Sequence, residues 1–197
     1  MRKFGNTGME IKRVGFGGIP IQRISQEDTN KVIDELEKCG VNFIDTARGY
    51  TISEEYLGNA LKGRREKFYI ATKSMSRDYE SMKKDIEISL KNLQTDYIDL
   101  YQMHNVKPAE YDTLFGEDKA YRALLEAKEQ GKIKHIGITS HGLETVEKAV
   151  ESDKFETIQF PYNIVENQAD EVFKRAYEKG VGTIVMKPLA GGAIDDG

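Results

Sequence analysis

The feature that most constrains this chain is a strict alternation in which short apolar runs of strand length recur between longer segments of helical period. The runs lie at 13–17, 41–45, 68–73, 97–102, 134–139, 157–161 and 183–187. Phe68-Tyr69-Ile70-Ala71 is apolar without interruption, the pattern of a strand buried on both faces, and βα alternation of such strands means a parallel sheet covered by helices. The segments between read as amphipathic helices. The one at 26–39 starts with Ser25 and Asp28 in capping-box-like spacing and stops at Gly40. The one after the third run carries Tyr79, Met82, Ile86, Leu90 and Leu93 on one face. Ahead of them all, Lys3-Phe4 and Met9-Glu10-Ile11 flank Gly5-Asn6-Thr7-Gly8, which predicts a β-hairpin.

Both a doubly wound sheet and a barrel alternate in this way. A doubly wound nucleotide-binding sheet would place a Gly-rich turn between its first strand and a helix, and Gly15-Phe16-Gly17-Gly18 is followed by Ile19-Pro20, which does not open a helix. Units of uniform length, roughly 25 to 30 residues, favour the barrel. A closed barrel needs eight strands and ~250 residues is typical. The expectation is therefore a (β/α)8 TIM-barrel type that lacks the eighth strand and C-terminal helices, in a single domain over residues 1–197. Unpaired edges on either side of the gap would invite self-association.

Composition removes several function classes. A formal charge of −4 gives no global attraction to nucleic acid or an acidic membrane. No run approaches 18 apolar residues, the span of a membrane helix. One cysteine permits neither an intrachain disulfide nor a thiolate-held cluster, and suits a reducing cytoplasm. That residue, Cys39, continues the stripe Val32, Ile33, Leu36 and is expected to be buried. No His, Asp or Glu spacing predicts a metal site, and Asp195-Asp196 reads as a solvated terminus.

In a parallel barrel the functional face lies at the C-terminal ends of the strands. The second strand runs out through Asp45 to Tyr50, the third ends in Ala71-Thr72-Lys73 and the fourth in Gln102-Met103-His104. Strands about 4.8 Å apart bring a carboxylate, a phenol, an ammonium and an imidazole to one place. Each alone has a structural reading, as a turn cap, a loop aromatic, a rim charge or a core histidine. Together they form a proton-donor set: a phenol with an ordinary pKa of about 10 becomes a usable acid near neutrality when a cation stabilises its phenolate, and Lys73, held by Asp45, supplies one.

These residues resemble the aldo-keto reductase family. Asp45-Thr46-Ala47-x-x-Tyr50, Ser53-Glu54 with Leu57-Gly58, Ala71-Thr72-Lys73 and Gln102-Met103-His104 match its pattern in order, over essentially the whole chain. The resemblance implies that Tyr50 is the general acid, that Lys73 lowers its pKa, that Asp45 pairs with Lys73 and that His104 orients a substrate carbonyl. It implies NADP(H) or, less often, NAD(H) as cofactor, and a small-molecule aldehyde or ketone as substrate. By the same resemblance Gly18, Asp45, Thr139, Ser140, Gln159, Met186, Lys187, Pro188, Leu189 and Gly191 are the cofactor contacts. Met186 stands where many members carry a stacking tyrosine, although the run at 185–192 looks like one microbial branch. Members of that branch often continue into an iron–sulfur domain, which one cysteine cannot furnish. Of the remaining histidines, His135 reads as structural or surface and His141 as a rim residue within reach of a ligand.

Two rival readings stand beside this one. A barrel lyase or aldolase would use Lys73 or Lys187 as a Schiff-base nucleophile, and a truncated barrel would bind nucleotide without catalysis.

Overall fold

The computed structural model describes residues 1–192. A two-stranded hairpin, β1 (Arg2–Lys3) and β2 (Glu10–Ile11), precedes a sheet of seven parallel strands arranged in sequence order. These are β3 (Phe16–Gly17), β4 (Phe43–Asp45), β5 (Tyr69–Ser74), β6 (Ile98–Met103), β7 (Ile133–Thr139), β8 (Thr157–Pro161) and β9 (Gly182–Met186). Six helices alternate with them: α1 (Gln26–Lys38), α2 (Ser53–Ala60), α3 (Tyr79–Leu93), α4 (Ala120–Glu129), α5 (Leu143–Glu151) and α6 (Asp170–Lys179). The expected barrel-type sheet is present with seven strands, and among the described residues nothing joins β3 to β9.

Side-chain alternation along the strands produces two apolar layers. Ile44, Ile70, Tyr101, Met103, Ile136, Ile138, Ile158 and Phe160 point outward and pack under the helices with Leu57, Met82, Ile86, Leu124 and Val146. Phe43, Ala71 and Leu100 point inward, where Phe4 and Met9 of the hairpin region meet them. The Phe4 and Phe43 rings pack edge to face with centroids 5.6 Å apart, and Asn6 N–H donates to the Gly180 carbonyl at 2.7 Å. The hairpin thus stoppers the N-terminal end of the sheet, and a single apolar floor underlies the polar residues above it.

Capping follows the sequence. Ser25 Oγ accepts from the Asp28 amide at 3.0 Å and Asp78 Oδ1 from the Ser81 amide at 2.9 Å, so α1 and α3 begin where their side chains satisfy free N–H groups. Gly58 on α2 lies so close to α3 that an added Cβ would come within 2.2 Å of the Asn92 carbonyl oxygen. Gly137 on β7 is likewise crowded by Thr157 and Gln102, and its missing side chain leaves room for Gln102 in the lumen.

Three expectations need correction. The first barrel strand is two residues long and not five: its ladder with β4 holds only Phe16 and Gly17 among the described residues. Ile19-Pro20 does enter a short helix, the 3-10 turn Ile19–Arg23, where proline at the start loses no needed hydrogen bond. Cys39 is exposed: α1 ends at Lys38, so the apolar stripe stops at Leu36 and Cys39 lies in the cap. Asp195 and Asp196 lie outside the described residues. No helix among the described residues is long and apolar enough to cross a membrane.

Candidate active site

Parallel register sets Asp45 beside Ala71, and Lys73 beside Gln102. The inward alternation that gives Phe43, Ala71 and Leu100 to the floor places Asp45, Lys73 and Gln102 one step higher. Lys73, only 2% exposed, donates from Nζ to Asp45 Oδ2 at 2.8 Å and to the Thr46 carbonyl at 2.7 Å. Gln102 Nε2 donates to Asp45 Oδ1 and Gln159 Nε2 to Asp45 Oδ2, both at 3.1 Å. A carboxylate so nearly saturated with donors stays in place, and it fixes the ammonium it faces.

Tyr50 is carried on the turn between β4 and α2. Its amide donates to the Ala47 carbonyl and its own carbonyl accepts from Ser53, at 3.0 and 2.8 Å. Lys73 Nζ lies 5.0 Å from the centre of the Tyr50 ring. The His104 ring stands edge-on to the same phenol, centroids 5.9 Å apart and planes at 84°. The four residues expected to gather at the strand ends are therefore gathered.

His104 leaves β6 through Asn105, which adopts the left-handed conformation at φ 51° and donates its amide to Thr139 Oγ1 at 2.8 Å. Burial, and after it the Lys73 ammonium, lower the His104 pKa to about 4. The imidazole is thus neutral near pH 7, when one ring nitrogen donates and the other accepts. Its Nδ1 is buried with no partner, as are Gln102 Oε1 and Gln159 Oε1. Three unsatisfied polar atoms around one carboxylate–ammonium pair are what a site awaiting a polar ligand displays.

A cavity of about 670 Å³ opens above this group, within the range of small-ligand sites. Gly18, Thr139, Gln159, Met186, Lys187 and Pro188 line it with the four central residues. Ser140, Leu189 and Gly191 do not. The Ser140 hydroxyl is buried, donating to the Val106 carbonyl at 2.6 Å and accepting from the Gly142 amide at 2.9 Å. Leu189 faces solvent, and Gly191 sits in a turn at φ 70°. His141 borders the cavity, with its pKa lowered by burial and then by Lys187. His135 lies away from it, paired with Glu156 at 2.7 Å.

Sequence reasoning gave no role to Gln102, Asn105 or Arg13, all of which help form the site or its walls. Gln102 was findable, since it stands two residues above Leu100 and in register with Lys73. Arg13 was not, because it precedes β3 and no strand-end position marks it.

Three comparisons place the chain. Over all of this chain and 67% of the relative it is 29% identical to L-galactose dehydrogenase of Arabidopsis thaliana. It is 30% identical to aldo-keto reductase YhdN of Bacillus subtilis (strain 168), over 96% of this chain and 62% of that protein. The chain thus spans about two thirds of the length of these relatives. The holo form of an aldo-keto reductase from Bacillus halodurans superposes with a TM-score of 0.87 at 29% identity, covering 97% of this chain and 67% of that one. Its apo form gives 0.78. The sequence model of the aldo/keto reductase family matches residues 13–197, and the chain belongs to that family.

Proposed function

We propose that this chain reduces aldehydes or ketones to alcohols, with Tyr50 giving the proton to the carbonyl oxygen. The observation that carries this reading is the position of Lys73: almost fully buried, fixed by Asp45 and the Thr46 carbonyl, and 5.0 Å from the Tyr50 ring centre. An ammonium held there stabilises negative charge as it develops on the phenol oxygen. His104, neutral and edge-on to Tyr50, can donate one hydrogen bond to the same carbonyl oxygen and so align it.

NADP(H) or NAD(H), when bound, supplies the hydride. The cavity suits such a group. Gln159 Oε1 is a buried acceptor without a donor, fitted to a carboxamide N–H, and Met186 offers a polarisable apolar surface to a flat ring. Lys187 adds positive charge at the rim for phosphate oxygens. A Schiff-base role for Lys73 is disfavoured, because its nitrogen is committed to two strong acceptors and shielded from solvent.

The test is turnover of the purified chain with NADPH and NADH against aldehydes and ketones, with alcohol product identified by mass. Cofactor binding is followed by fluorescence in the same samples. Alcohol formation is expected. Binding with no alcohol from any carbonyl class would leave the non-catalytic reading, and a borohydride-trapped adduct would leave the lyase.

A further inference from the structure

The Glu54 carboxylate takes no part in the lumen. It lies on α2 in the apolar layer between barrel and helices, 1% exposed, close to where Leu57 and Leu61 pack. A buried carboxylate is a poor choice for that layer on grounds of stability, since an apolar side chain of similar volume often does as well or better. Its contacts suggest another reason for it. Oε2 accepts from Arg48 Nη1 at 2.7 Å. Oε1 accepts from Thr72 Oγ1 and Ser89 Oγ, each at 2.7 Å. One oxygen therefore holds the turn that carries Tyr50 and the other holds the strand that carries Lys73.

The turn needs such a hold. Thr51, next to Tyr50, sits at φ 39°, a conformation that a β-branched residue adopts only when its surroundings impose it. Arg48 is fixed twice, by its side chain on Glu54 and by its amide on the Lys73 carbonyl at 2.9 Å. A second carboxylate, Asp85, approaches the same guanidinium at 3.8 Å and accepts from Ser76 Oγ at 2.7 Å just beyond β5.

We infer that Glu54, acting through Arg48 and Thr72, is a positioning residue that sets the Tyr50 phenol against Lys73. The inference rests on the reading of Tyr50 as proton donor, and the experiment separates the two. Arg48→Met and Arg48→Lys are made in the full chain, and each protein is also prepared with 3-fluorotyrosine in place of its ten tyrosines. The Tyr50 resonance is assigned with Tyr50→Phe.

Arg48→Met is expected to lower kcat by about 30-fold, with the cofactor Kd changed by no more than about two-fold, since misplacement of a reacting group acts on the chemical step. Its Tyr50 fluorine resonance should broaden or split. Arg48→Lys, which keeps the charge and loses the fork, should recover part of both effects, and it carries the same readouts should Arg48→Met fail to fold. A fall in kcat with an unchanged Tyr50 resonance overturns the inference, as does a disordered Tyr50 with wild-type kcat, or no change in either. If the unmodified chain reduces no carbonyl, the proposed function falls while the resonance still decides whether Arg48 holds Tyr50. A general structural role would lower the melting temperature and leave kcat per folded molecule and the Tyr50 signal as they were.

Discussion

On the β4–β6 side of the mouth the charged groups are buried and held by several partners each, whereas on the β9 side the strand is half open to water. Every residue of β6 is buried. In β9 only Gly182 is, and Val185 is 43% exposed. The cause is neighbour count. β6 has a strand on either side and helices over its outer face, while among the described residues β9 bonds only to β8 and β3 only to β4. The residues proposed to deliver the proton therefore stand on the best-supported part of the sheet. The cavity-lining residues Met186 and Lys187 stand on its least supported part, and Lys187 is in addition held at φ 56°.

The largest effect that would break this contrast is loss of chemistry without loss of structure. Tyr50→Phe removes one oxygen from a turn whose backbone bonds remain, so the melting temperature should stay near that of the unmodified chain. Carbonyl reduction should fall by about 100-fold or more, the usual weight of a general acid, with cofactor Kd within a few-fold by fluorescence. Comparable turnover would end the assignment of Tyr50.

Lys73→Met probes the same side through stability. It leaves Asp45 with only its two amide donors and a largely buried charge lacking its counter-ion, which costs on the order of 3 kcal/mol. Chemical denaturation should show that loss, and the double variant Asp45→Asn, Lys73→Met should regain part of it by removing the orphaned charge. A Lys73→Met chain as stable as the original would mean that the pair contributes nothing to the central strands.

The third effect is a pH dependence. His104 has a folded pKa of about 4 against an ordinary 6.5, so between those values the unfolded chain binds the extra proton and stability rises with pH. The contribution is complete above pH 6.5 and is lost as pH falls toward 4. Allowing for solvent at the exposed edge of the ring, it amounts to on the order of 2 kcal/mol. His104→Asn should flatten the difference in unfolding free energy between pH 6.5 and pH 4 by that amount. An unchanged slope would mean that the imidazole is far better solvated than its position implies.

The same contrast explains what could be read without coordinates. The central strands were legible because the runs at 98–103 and 68–71 are largely buried and, apart from Asp99 and Gln102, apolar. Asp45, Lys73 and His104 then stood out as polar residues at apolar strand ends. The edges were harder: residues 13–17 have the composition of a strand, yet only Phe16 and Gly17 enter the ladder. Ser140 was misleading for a related reason. Its position after β7 matches a ligand contact, but its hydroxyl is committed to the Val106 carbonyl, a contact 34 residues back in the sequence that no local pattern reveals. Glu54 was legible only as part of a motif and Arg48 not at all, since their pairing depends on how α2 packs against the turn after β4 and the Thr72 hydroxyl.

The smallest expected effect sharpens the contrast from the open side. Val185 sits on β9, whose outer edge has no strand beside it among the described residues, so replacing it disturbs few neighbours. Val185→Lys should change the unfolding free energy by no more than about 0.5 kcal/mol, the ordinary range for an exposed position. The same change should act strongly on association. Unpaired N–H and C=O groups along β3 and β9 are a template for pairing between copies, and a lysine on an edge strand is a common block to such pairing. Light scattering of the unmodified chain should therefore show mass above the monomer that grows with concentration, and Val185→Lys should return it to the monomer. If the unmodified chain stays monomeric at every concentration, the edges do not pair between copies. A loss of several kcal/mol in Val185→Lys would show instead that β9 is packed as firmly as the centre of the sheet, and the division between the two sides of the mouth would be wrong.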